Sequence, residues 1–157
     1  MVQAAAVAVN GNPFACDVGR FNDAYFVYVA AFGLFTEVSY KTSQEWKNVL
    51  GHAAYILEGI KSLHEIPAFL MQVEFNNCCI QGEFIYGMIT NSTSVGGFKG
   101  MTGKDVELDD GIFEVMLIRA ARNVNEITEC IMAVQNQTYN CGMIPFRPAK
   151  TVKITAD

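Results

Sequence analysis

From Thr42 to Leu63 apolar residues recur at Trp46, Val49, Leu50, Ala53, Leu57, Ile60 and Leu63, the spacing of a helix that buries one stripe. Thr42 with Glu45 three positions later opens it as a capping box, and Pro67 lies just beyond its end. A second, shorter helix is predicted from about Asn123, with Ile127, Cys130, Ile131 and Val134 on its inner face. Most of the remainder reads as strands, short and rich in aromatic and β-branched residues: Phe14 to Phe21, Ala24 to Phe32, Ala68 to Phe75, Cys78 to Glu83, Phe84 to Asn91, Ile112 to Ala120, Thr138 to Ile144 and Thr151 to Thr155. Asn76-Asn77 suits a hairpin, because Asn tolerates positive φ, and the glycines from Gly96 to Gly103 mark a loop. Together these predict a mainly β fold, an antiparallel β-sandwich or open barrel with a long helical insertion and a second short helix.

Composition narrows what such a fold can do. With 157 residues, 51% apolar and 17% charged, the chain has the size of one domain and the reverse of a disordered composition. The 11 Lys and Arg against 16 Asp and Glu give a net charge of −5, which argues against an electrostatic grip on nucleic acid. A mean hydropathy of +0.20 is high for a free-standing domain. The surplus apolar surface is expected to meet a partner domain, a membrane or a second copy in a homo-oligomer. The longest apolar run, Ala24 to Phe35, is too short to cross a bilayer as a helix, where roughly 18 or more residues are needed. No Lys or Arg precedes Arg20, so a secretory signal is not expected and the expected compartment is the cytoplasm, with peripheral membrane contact allowed.

The five cysteines, Cys16, Cys78, Cys79, Cys130 and Cys141, include no C-x-x-C pair and are expected to be reduced and mostly buried. His52 and His64 lack any partner at zinc-ligand spacing. Neither phosphate-cradling glycine fingerprint nor a G-x-S-x-G elbow is present. The densest polar cluster runs Lys104-Asp105-Val106-Glu107-Leu108-Asp109-Asp110-Gly111. Such crowded carboxylates belong either to a solvated acidic turn or to the seat of a hard cation. Arg147, Lys150 and Lys153 are either the solvated face of a strand or contacts to anionic headgroups.

Three segments carry a likeness. Asp17-Val18-Gly19-Arg20-Phe21-Asn22 followed by Tyr25 to Gly33, then Ile89-Thr90-Asn91-Ser92-Thr93-Ser94-Val95-Gly96-Gly97-Phe98, then Leu108-Asp109-Asp110-Gly111-Ile112-Phe113, resemble the C-terminal domain of bacterial diacylglycerol kinase-like lipid kinases in order and spacing. The resemblance implies a β-sandwich that helps form a lipid cleft, an N-terminal nucleotide-binding domain absent from residues 1–157, and transfer of the ATP γ-phosphoryl group to a lipid hydroxyl such as that of diacylglycerol. It also implies a structural Mg²⁺ held by the Asp110 carboxylate and the main-chain carbonyls of Glu107 and Ile112. The family's Gly-Gly-Asp-Gly-Thr nucleotide loop does not occur here. Its Asp-Gly-Glu, with the glutamate taken as general base, falls beyond Asp157, so no catalytic residue is assigned and the isolated chain is expected to be inactive. The rival readings are a non-catalytic lipid-binding module and a nicotinamide-cofactor kinase domain.

Overall fold

The computed structural model describes residues 2–33, 67–76, 78–95, 98–99, 102–103 and 105–156. The helix predicted from Thr42 to Leu63, and Gly96, Gly97 and Gly100 of the predicted loop, lie outside the described residues. The chain runs through α1 (Val2–Asn10), β1 (Gly19–Phe21), β2 (Ala24–Phe26), β3 (Val29–Gly33), β4 (Phe69–Phe75), β5 (Cys78–Thr90), β6 (Ser94–Val95), β7 (Phe98–Lys99), β8 (Phe113–Arg119), α2 (Val124–Asn136), β9 (Phe146–Ala149) and β10 (Val152–Ala156). The fold is mainly antiparallel β, as expected. A six-stranded sheet in the order β10-β4-β5-β8-β9, with β3 added against β5, is joined by the two-stranded ribbons β1-β2 and β6-β7.

β5 organises the molecule. Its first half pairs with β4, from Phe75↔Cys78 to Phe69↔Phe84. Its second half pairs with β3 and, on the other edge, with β8. A register shift between Phe84 and Tyr86 marks a bulge. One extra residue reverses the inward parity of a strand: Ile80 and Phe84 before the bulge and Ile89 after it pack in one cluster with Val73, Val115 and Leu117. Tyr86 and Met88 pack in the other cluster, against Met116, Ala133 and Ile144. β9 pairs beside the Thr90 end of β5 through β8, and β10 pairs beside the Cys78 end through β4, yet only Lys150 and Thr151 separate β9 from β10. So short a link requires the sheet to curl until its two end strands meet, and a bulge in the shared strand β5 adds local bend and twist. The closure is held by Asn76, whose Nδ2 donates to the Pro148 carbonyl at 3.1 Å while its Oδ1 accepts from Lys150 N at 3.4 Å.

α2 covers the outer face of the β5–β8 layer. Asn123 Oδ1 accepts from Glu126 N at 3.1 Å, and Glu126 Oε2 reaches back to Arg122 N at 2.6 Å, so the first turn is capped from both sides. Ile127 and Ala133 face inward and are buried, and Cys130 is half-buried.

Several expected boundaries move. Of Phe14 to Phe21 only the last three residues pair, and Ala24 to Phe32 divides into β2 and β3. The Tyr28 carbonyl at that break accepts from Thr90 Oγ1 at 3.0 Å and from Asn91 N at 3.1 Å. The two strands expected from Cys78 to Asn91 are one bulged strand. Thr138 to Ile144 is no strand: Gln137 and Asn140 take positive φ of 53° and 73°, which turns the chain, and pairing begins at Phe146. The Ala-rich start, to which the sequence reading assigned no element, forms α1, where alanine has the highest helix propensity. Cys16, Cys78 and Cys79 are exposed rather than buried, and all five thiols are free. The Cys130 thiol is pushed up to about 12 by burial, with Cys141, Glu129 and Glu126 adding to the effect.

Candidate functional site

Two features of this scaffold carry candidate chemistry. The first is the acidic turn from Asp105 to Ile112. It is tied down by residues distant in sequence. Asp17 N donates to the Leu108 carbonyl at 2.6 Å, and Gly111 N donates to Asp17 Oδ2 at 2.5 Å. Asn91, buried at the end of β5, donates through Nδ2 to the Leu108 carbonyl at 2.9 Å and to the Asp17 carbonyl at 3.2 Å. Asp110 Oδ1 accepts from Ile112 N at 2.8 Å, and Gly111 sits at a φ of 73°. A non-glycine residue there would be strained.

Asp105, Glu107, Asp109 and Asp110 are all exposed, and Ile112 is half-buried. Neither the Glu107 nor the Ile112 carbonyl takes part in a turn or loop hydrogen bond among the described residues. Beside the turn, Glu114 on β8 is 7% exposed, and its Oε2 has no hydrogen-bond partner. Burial raises its carboxyl to about 7, opposed by its own backbone hydrogen bond and reinforced by the negative charge of Asp110. Asn91 Oδ1 is likewise buried without a partner. Among the described residues no cluster of three or more His, Cys, Asp or Glu forms a metal cage, so any cation here would depend on main-chain carbonyls.

The second feature is a groove of about 1030 Å³ on the inner face of the sheet. Phe32, Phe69, Met71, Ile89 and Leu117 are among the apolar side chains that floor it, and the β1-β2 ribbon borders it through Phe21 and Phe26. Phe32 and Phe69 meet edge to face, with centroids 6.3 Å apart. Gly87 is required at its floor, because a Cβ there would strike the Phe32 ring. Arg20, Lys150 and Lys153 also line the groove. Arg147 does not: its guanidinium is held by Asn140 Oδ1 and the Phe146 carbonyl.

The sequence pointed to Asp110, Glu107 and Ile112, and all three stand on the one turn. Asp17, Asn91 and Glu114 had no assigned role. Asp17 and Asn91 lie in the segments that carry the resemblance, whereas the apolar run of β8 hides Glu114.

No family model matches the chain. Individual proteins do. A diacylglycerol kinase of Bacillus subtilis is 30% identical over 154 residues, 98% of this chain and 50% of that protein. Along nearly its whole length the chain is a relative of bacterial diacylglycerol kinases. One from Staphylococcus carnosus is 29% identical over 157 residues, covering 99% of this chain and 51% of that protein. The chain therefore spans about half the length of the curated relatives it matches. The crystal structure of a diacylglycerol kinase from Bacillus anthracis shares the fold, with a TM-score of 0.62 at 17% identity over 99% of this chain and 47% of that one. No described helix is long and apolar enough to cross a membrane.

Proposed function

We propose that this chain is the C-terminal, lipid-holding half of an ATP-dependent lipid kinase that phosphorylates a hydroxyl such as that of diacylglycerol. The observation that carries this reading is the apolar groove of about 1030 Å³, partly open to solvent, in a chain related throughout to half of a diacylglycerol kinase. A volume of that order suits a lipid chain rather than a small polar metabolite. Within it Phe32, Phe69, Ile89 and Leu117 exclude water from the acyl portion. The hydroxyl is left toward the half of the protein that supplies nucleotide and general base. Holding the acceptor still while the phosphate arrives removes much of the entropic cost of the encounter.

The residues of the acidic turn fit a hard cation. Every donor they offer is oxygen, Asp110 uses only Oδ1 within the turn, and the Glu114 carboxyl, whose Oε2 has no partner, feels the Asp110 charge. When bound, Mg²⁺ would supply positive charge that offsets the crowded carboxylates and stiffens the turn. Asp110, with the Glu107 and Ile112 carbonyls, would hold it. Asp17 and Asn91 keep the Leu108 end of the turn in place.

The test separates binding from turnover. The chain alone should bind a short-chain diglyceride, and Ala30→Phe, which places a ring in the groove over the paired strands β3 and β5, should weaken that binding at least tenfold with an unchanged circular dichroism spectrum. The chain alone should transfer no phosphate from ATP, whereas a protein carrying both halves should. Turnover by the chain alone, or diglyceride binding indifferent to Ala30→Phe, would overturn the proposal.

A further inference from the structure

The strand register lays out the floor of the groove in rows. Ala30, Ile89 and Val115 stand side by side across β3, β5 and β8. Two residues along, about 7 Å further, Phe32, Gly87 and Leu117 form the next row. β3 ends at Gly33 opposite Tyr86, and β4 then takes the same edge of β5 with Phe69 opposite Phe84. Beyond Phe69, Met71 pairs with Ala156 of β10. The edge-to-face pair of Phe32 and Phe69 therefore crosses the floor between an end lined by Ala30 and Ile89 and an end lined by Met71 and Ala156.

Gly87 sets the height of that crossing. The Cε1–Cζ edge of the Phe32 ring occupies the place where a Cβ on Gly87 would stand, and the same Cβ would come within 3.0 Å of Leu117 Cδ2. The ring thus lies down on the β5 backbone. Gly87 does not take a positive φ, so its strand conformation is open to any residue, and a glycine inside a strand weakens it. What the missing side chain gains is the low position of the ring.

We infer that Phe32 is a sill that determines how long an acyl chain the groove accepts, and that Gly87 keeps the sill low enough for a long chain to pass from one end to the other. This rests on the reading of the groove as a lipid site. A methyl on Gly87 would push the ring edge away from the sheet and into the groove. Methylenes that had lain beyond the ring would then lose their burial, at roughly fourfold in affinity for each one.

The experiment titrates the intact chain calorimetrically with diglycerides carrying two six-, eight- or ten-carbon chains, each below its micelle-forming concentration. Affinity of the parent should rise with chain length. Gly87→Ala should lose at least tenfold more affinity for the ten-carbon lipid than for the six-carbon one, and Phe32→Leu added to Gly87→Ala should recover the ten-carbon lipid, since the ring and not the methyl is the obstacle. Phe32→Trp, which enlarges the ring and leaves Gly87 in place, should show the same selective loss and carries the test alone if Gly87→Ala does not fold. A loss equal at all three lengths, or a double variant still confined to short chains, would overturn the inference. Length dependence that neither Gly87→Ala nor Phe32→Trp alters would sink the sill and leave the lipid reading standing. A parent that binds none of the three lipids would overturn both.

Discussion

Glu114 is the residue whose environment most constrains behaviour. Its folded-state carboxyl is near 7 against an ordinary 4.5, so between those values the folded chain holds a proton that the unfolded chain has released. The stability this group allows is complete below about 4.5, falls as pH rises to about 7, and is level beyond. Glu114→Gln should therefore remove that part of the pH slope. In buffer free of divalent cations, its melting temperature should match the parent near pH 4.5 and exceed it at pH 8. A variant less stable than the parent at pH 8 would show that the ionised carboxylate has a compensating partner. Asn91 acts in the opposite sense. Its side chain satisfies the Leu108 and Asp17 carbonyls together, so Asn91→Leu should cost about 2–4 kcal/mol by removing two hydrogen bonds near buried groups, read as a drop in denaturation midpoint.

At the scale of elements, glycines with positive φ separate backbone strain from crowding. Gly33 has a φ of 82°, and a Cβ there would collide with the Ile85 carbonyl across the β3–β5 pair. Gly111 has a φ of 73° with nothing within 4 Å of a built Cβ. Gly111→Ala should cost roughly 1 kcal/mol, the conformational penalty alone, and Gly33→Ala distinctly more. Equal losses in chemical denaturation would mean that the strand accommodates the methyl by shifting. Alternation made β4 and the single-sided α2 legible in sequence, because each packs one face, whereas β8 packs into both core clusters and was legible as a continuous apolar run. β5 was legible only as two pieces, since its bulge changes the inward parity and a change of parity in sequence looks like a strand end. The Thr138–Ile144 expectation failed for a related reason. Tyr139 and Ile144 pack in a core cluster as strand residues would, but the positive φ at Gln137 and Asn140 is a backbone state that apolar spacing does not encode. In the candidate site, the acidic run announced itself by charge density. The long-range partners Asp17 and Asn91 did not, because single polar residues become informative only when the fold brings them to the Leu108 carbonyl.

At the scale of the whole molecule, the proposed function gives the acidic turn two candidate roles: a strut of this chain's own fold, or part of a joint with the proposed second half. The weak tie of Asp110 to this chain's own fold is the reason to propose the second. Asp110 is exposed and contributes to the fold through one bond, Oδ1 to Ile112 N, worth about 1 kcal/mol. The turn's attachment to the sheet runs instead through Asp17 and Asn91. Asp110→Ala should therefore shift the melting temperature of the isolated chain by no more than a few degrees. In a protein carrying both halves it should lower lipid phosphorylation at least tenfold, and added Mg²⁺ should raise the melting temperature of the parent but not of the variant. Asp17→Ala should show the converse, a marked loss of stability in the isolated chain, since it removes the anchor of Gly111 N. If Asp110→Ala lowered folding stability and activity in step, the turn would be a structural strut of this half. If Mg²⁺ raised the melting temperature of both proteins alike, the cation would bind somewhere other than Asp110.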